Sequence, residues 1–136
     1  MWYDVDLGSD VPVYQQMIEG LKRDLALGLV LPGERLPSVR EMAAITALNP
    51  NTVARAYQEM ERLGLIETRR GRGTFVALFP PFKTEAAKKR IEELVEKILI
   101  EATNAGMDKE ELLSLITKAI HHWYNRKGGK ESGDGH

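Results

Sequence analysis

Residues 36–76, LPSVREMAAITALNPNTVARAYQEMERLGLIETRRGRGTFV, constrain the fold more than any other stretch of the chain. Ser38 followed three residues on by Glu41 is the signature of a capping box. It opens a short helix with Val39, Met42, Ala43 and Ala47 on its inner face. Leu48-Asn49-Pro50-Asn51 then reads as a turn, and either Asn49 or Asn51 can cap a further helix over residues 52–63. Val53, Ala56, Tyr57, Met60 and Leu63 fall on one face of that helix, and Gly64 ends it. Residues 65–69 and 73–77 read as strands around Arg70-Gly71-Arg72, a hairpin.

The flanks extend this frame. Residues 1–10 suggest an extended arm. Residues 11–27 form a helix on the spacing of Val13, Met17, Leu21 and Leu25, with Pro12 in its first turn and Gly28 at its end. Pro80-Pro81 marks a boundary, because two prolines stop any helix or central strand. A long helix follows over residues 84–105, with Ile91, Leu94, Val95, Ile98 and Leu99 on one stripe. Gly106 breaks it, Asp108 with Glu111 caps the next, and Leu112, Leu113, Ile116, Ala119, Ile120 and Trp123 form the apolar face of a last helix. The expected fold is mainly α with a small β-hairpin wing. A winged helix-turn-helix domain over residues 1–79 precedes a two-helix region over 80–125 and a polar, Gly-rich tail over 126–136, expected to be disordered.

The order helix, turn, helix, basic hairpin suits a protein that sets one helix in the major groove of double-stranded DNA and grips the phosphates beside it. A net charge of −1 looks unfavourable for that partner. Its distribution is not. Residues 4–34 hold six acidic residues against two basic ones, whereas residues 35–74 hold seven arginines against Glu41, Glu59, Glu61 and Glu67. On the third helix and the turn before it, Asn49, Asn51, Thr52, Arg55 and Gln58 lie away from the apolar face. Asn and Gln suit adenine edges, Arg suits guanine, and Thr52 suits a phosphate or a thymine methyl. The start of that helix adds free N–H groups and a positive dipole end. Arg40 sits near the start of the second helix. Arg69, Arg70, Gly71, Arg72 and Gly73 place guanidinium groups on a backbone able to approach the sugar-phosphate wall or a narrow minor groove.

Other chemistries find little support. There is no cysteine, which removes thiol catalysis and disulfides and fits a cytoplasmic setting. No apolar run approaches the ~20 residues that span a bilayer, and the start MWYDVDLGSD is no secretory signal. The adjacent His121 and His122 point about 100° apart on a helix, so no metal site is expected. With no phosphate loop, nucleophile elbow or acid pair, neither an enzyme nor a cofactor is expected. The alternative from another class is a winged-helix module that docks proteins; it has no need of Arg55, Arg70 and Arg72.

Residues 14–76 closely resemble the winged helix-turn-helix domain of the GntR family of bacterial transcription regulators. The resemblance is carried by the run from Pro12 to Gln16, by Leu31-Pro32-Gly33-Glu34-Arg35-Leu36-Pro37-Ser38-Val39-Arg40-Glu41-Met42-Ala43, by Asn51-Thr52-Val53-Ala54-Arg55-Ala56-Tyr57, by Glu61-Arg62-Leu63-Gly64-Leu65-Ile66, and by Arg70-Gly71-Arg72-Gly73-Thr74-Phe75-Val76. It implies that Arg40 is the DNA-binding arginine of the second helix. It also implies that Asn49, Asn51, Thr52 and Arg55 meet bases and phosphates, and that Arg70, Gly71 and Gly73 form the wing tip. Pro50 departs from relatives that carry a basic contact residue there, so no base preference carries over. The short tail is similar to that of the YtrA-like subfamily, whose two helices dimerise and whose members tend to regulate transporter operons. That implies a homodimer and a repressor's role, and leaves a small-molecule effector open. The stripes Ile91, Leu94, Val95, Ile98 and Leu112, Ile116, Ile120, Trp123 make a thin core alone, and a second copy would bury more of both and present two reading helices to a palindromic operator; the alternative is that the tail folds back on its own winged domain as a monomer.

Overall fold

Eight elements follow one another in the computed structural model, which describes the backbone of residues 1–134 and the side chains of residues 1–126. They divide into two units, Met1–Pro81 and Phe82–His136.

The first unit contains α1 (Val13–Ala26), β1 (Arg35–Leu36), α2 (Val39–Thr46), α3 (Pro50–Arg62), β2 (Ile66–Arg69) and β3 (Gly73–Val76). Apolar residues at helical spacing bury one face of each helix: Met17, Ile18 and Leu21 of α1, Met42 and Ala43 of α2, and Val53, Ala56, Tyr57 and Met60 of α3. These meet Leu36, Leu65, Ile66 and Val76 from the strands in a single core, with α3 packed on both α1 and α2.

The capping box at α2 forms as read. The Glu41 N–H donates to Ser38 Oγ at 3.1 Å, and the Ser38 N–H donates to Glu41 Oε1 at 3.2 Å. Four details depart from the sequence reading. Ala47 leaves the inner face of α2 and sits at its C-cap in the left-handed region, φ 57°. Helix α3 starts at Pro50 rather than near Thr52, because a proline at the first helical position has φ preset and no N–H to satisfy. The hairpin gains a third strand, giving the order β1-β3-β2 with Arg35 opposite Phe75 and Ile66 opposite Val76. Two residues are too few for β1 to show an alternating pattern. The arm over residues 1–10 turns rather than extends: Trp2 is buried in the core, and the Gln16 side chain bonds both the N–H and the carbonyl of Asp6, at 2.7 and 2.9 Å.

The second unit is a pair of helices, α4 (Glu85–Asn104) and α5 (Lys109–Asp134). Thr84 caps α4 by accepting from the Ala87 N–H at 3.0 Å, and Asp108 accepts from the Glu111 N–H at 2.8 Å ahead of α5. Ala102 is the one buried residue of α4. Ile91, Leu94, Val95, Ile98 and Ile120 are each about half exposed or more, while Leu112, Ile116 and Trp123 are partly buried. The tail expected to be disordered over residues 126–136 is instead a continuation of the α5 backbone as far as Asp134; the side chains of 127–136 and the backbone of 135 and 136 lie outside the described residues.

Candidate nucleic-acid interface

Helix α3 separates its residues cleanly. Val53, Ala56, Tyr57 and Met60 face the core, and Asn51, Arg55 and Gln58, one turn apart, stand exposed on the outer face. Thr52 is half-buried at the edge of that face. Asn49 is the N-cap, and its Oδ1 accepts from the Asn51 N–H at 2.8 Å. The expectation of free N–H groups at this helix start is not met. Pro50 has none, Asn49 Oδ1 takes that of Asn51, and the Asn49 carbonyl accepts those of Thr52 at 3.0 Å and Val53 at 3.2 Å.

Arg40 is exposed as the second residue of α2. The angle between α2 and α3 has its own tie, which the sequence did not reveal. The Tyr57 hydroxyl, on the inner face of α3, donates to the Pro37 carbonyl at 2.7 Å, just ahead of the Ser38 cap. Burial pushes that phenol far above its ordinary value, so it remains a donor.

At the wing, the Arg72 N–H closes a turn onto the Arg69 carbonyl at 2.9 Å, with Gly71 at φ 76° between them and Gly73 at φ 123° beyond. Arg70, Gly71 and Arg72 are exposed at the tip. Gly73 also faces the Arg35 guanidinium, which a Cβ would approach to 3.1 Å. Arg69 behaves differently. It donates to Glu67 Oε1 at 2.7 Å and lies over the Phe75 ring at 4.6 Å, so its guanidinium is engaged along the strands rather than at the tip.

The charges sort accordingly. Arg62 pairs with Glu59, which holds the Glu59 carboxyl below its ordinary range and raises the guanidinium. Arg69 pairs with Glu67. Among the described residues, Arg35, Arg40, Arg55, Arg70 and Arg72 form no ion pair with any carboxylate. Arg55 has a different neighbour: its guanidinium carbon lies 4.0 Å from the centroid of the Tyr14 ring on α1. Two residues far apart in the chain gave no signal of that stack. Unpaired guanidinium groups beside Asn and Gln on an exposed helix can bond base edges, and those on a Gly-rich turn can hold phosphate. Among the described residues no cluster of side chains could hold a metal, and no helix is long and apolar enough to cross a membrane.

Residues 13–76 match the family described as "Bacterial regulatory proteins, gntR family". The chain is 40% identical over 136 residues to the HTH-type transcriptional repressor YtrA of Bacillus subtilis, covering 94% of this chain and 97% of that one. It is 44% identical over 113 residues to the HTH-type transcriptional regulator YhcF of the same organism, covering 83% and 93%. A crystal structure from Listeria monocytogenes described as a transcriptional antiterminator superposes with a TM-score of 0.75 at 28% identity, over 89% of this chain and 91% of that one.

Proposed function

The chain belongs to the gntR family of bacterial regulatory proteins, and on that premise we propose that it is a repressor that binds a palindromic operator as a homodimer. It is a transcriptional regulator with a DNA-binding domain, and its relatives are regulators rather than enzymes. Repression is the role of YtrA in Bacillus subtilis, and the likeness to that subfamily suggests a transporter operon as the target.

One observation carries the reading. The arginines left without a carboxylate in the basic segment are Arg35, Arg40, Arg55, Arg70 and Arg72, and they fall on β1 beside Gly73 of the wing, on α2, on the outer face of α3 and at the wing tip. A protein-docking winged helix does not need such charges, whereas a polyanion supplies the missing partners for all of them. In this reading Asn51, Arg55 and Gln58 address base edges. Arg40 and Thr52 hold the backbone, and Asn49 both caps α3 and borders the groove. Arg70 and Arg72 clamp phosphate or enter the minor groove while Gly71 and Gly73 keep the tip thin. Arg69 is a lesser contributor, being held by Glu67 and Phe75.

The dimer rests on the second unit. Two helices that leave Ile91, Leu94, Val95 and Ile98 about half exposed have not completed a core. A second copy of the same pair would cover those stripes as a four-helix arrangement and set two reading helices about one DNA turn apart.

Two substitutions test the DNA reading. Arg72→Ala should weaken binding to every duplex alike and reduce the salt slope by about one, whereas Arg55→Ala should cost about 1–3 kcal/mol only on the preferred sequence. Equal losses on all sequences for both variants would remove α3 from base reading.

A further inference from the structure

We propose that Tyr14, on α1 and outside the reading helix, is a positioning residue for base discrimination: its ring fixes the direction of the Arg55 guanidinium. The inference rests on the reading of α3 given above.

The stack brings the guanidinium carbon to 4.0 Å from the ring centroid. A planar cation at that distance over an aromatic face is attracted by the ring quadrupole. The ring is a firm platform. Tyr14 is half-buried and packs against the core, and α1 packs directly on α3. With its carbon over the ring, the Arg55 guanidinium donates no hydrogen bond to a protein acceptor among the described residues, so the fork that would meet a guanine stays available. An exposed arginine otherwise spreads over many rotamers, and a bidentate contact must select one of them. A preset direction therefore favours the matched base pair more than a loose phosphate contact, which many rotamers satisfy.

The one competing partner on the same helix is already occupied. Glu59 lies one turn beyond Arg55 and feels its charge, but it is bonded to Arg62. Arg55 is thus held by Tyr14 rather than drawn along α3.

The test first selects a duplex from a randomised pool with the wild-type chain. It then measures affinity for that duplex and for a scrambled duplex of the same composition. The readout is their ratio, because a general loss of folding lowers both affinities and leaves the ratio in place. Tyr14→Leu should lower the ratio about 2- to 5-fold, and Tyr14→Phe, which keeps the ring, should hold it within about 2-fold of wild type. With Arg55→Ala in place, adding Tyr14→Leu should lower the ratio no further. Should the leucine variant fail to fold, Tyr14→Met provides the same comparison with a flexible apolar side chain. An unchanged ratio in Tyr14→Leu or Tyr14→Met, alongside a reduced one in Arg55→Ala, overturns the role of Tyr14 and leaves the DNA reading standing. An unchanged ratio in Arg55→Ala overturns both.

Discussion

A Cβ at position 20 would lie 2.1 Å from the carbonyl oxygen of Trp2. Glycine in mid-helix is a cost in itself, so its presence in α1 reflects this close approach of the N-terminal arm. Gly20→Ala should destabilise the first unit by about 1–2 kcal/mol in urea unfolding, the helix gain being outweighed by displacement of the arm. A stabilised protein would show that the arm docks elsewhere. Nothing in the spacing of residues signals this contact, since an arm and a helix glycine have no shared periodicity. The same limit applies to Tyr57 and to Tyr14. Helical spacing placed Tyr57 on the inner face of α3, but its hydroxyl partner, the Pro37 carbonyl, depends on how α2 and α3 cross. The stack of Tyr14 with Arg55 depends on how α1 meets α3.

Elements were far more legible than such pairings, because each announces itself through local chemistry. The Ser38 and Glu41 box and the Asp108 cap form where their residue types suggest, while Thr84, which the spacing places inside the helix, is its N-cap. Pro50 is the exception: its neighbours Asn49 and Asn51 suggest a turn, yet it is the first residue of α3. The two-residue β1 escaped notice because its pairing with β3 is non-local. In the wing, three consecutive Arg/Gly positions were legible as a tip, but the diversion of Arg69 to Glu67 and Phe75 follows from strand register. The cap of α2 gives two predictions. Ser38→Ala should cost about 1 kcal/mol at neutral pH. The Glu41 carboxyl is held below its ordinary 4.5, first by the Ser38 backbone N–H, then by the Ser38 side chain and, against a small opposing effect of burial, by Arg35. A depressed acid contributes stability that is present above its unfolded value and lost as pH falls through the folded one. The wild type should therefore lose this contribution as the pH drops below 4.5. Glu41→Gln should lack that component of the acid transition, and an identical acid transition in the two proteins would contradict the account.

At the scale of the whole molecule, net charge was the misleading quantity and its segmental distribution the informative one. A chain with net charge −1 carries an acidic start and a basic helix-turn-helix segment. Within that segment, ion pairing with Glu59 and Glu67 removes Arg62 and Arg69 and leaves Arg35 of β1, Arg40 of α2, Arg55 of α3 and the wing-tip pair Arg70 and Arg72. The apolar stripes of α4 and α5 were likewise legible from spacing, and their exposure in a single copy gives them meaning. Ile98→Glu, a charge placed in the middle of the stripe, should shift the protein from dimer to monomer by light scattering and weaken binding to a palindromic duplex more than to a single half-site. A monomeric wild type would remove the paired reading and leave the first unit's chemistry intact. The central claim, that unpaired arginines around α3 replace their missing anions with DNA, is tested most directly by measuring duplex affinity against salt concentration. The account predicts tight binding at low ionic strength that falls linearly in log–log form, with a slope of about −0.9 for each phosphate neutralised. No salt-sensitive duplex binding at low ionic strength would contradict it.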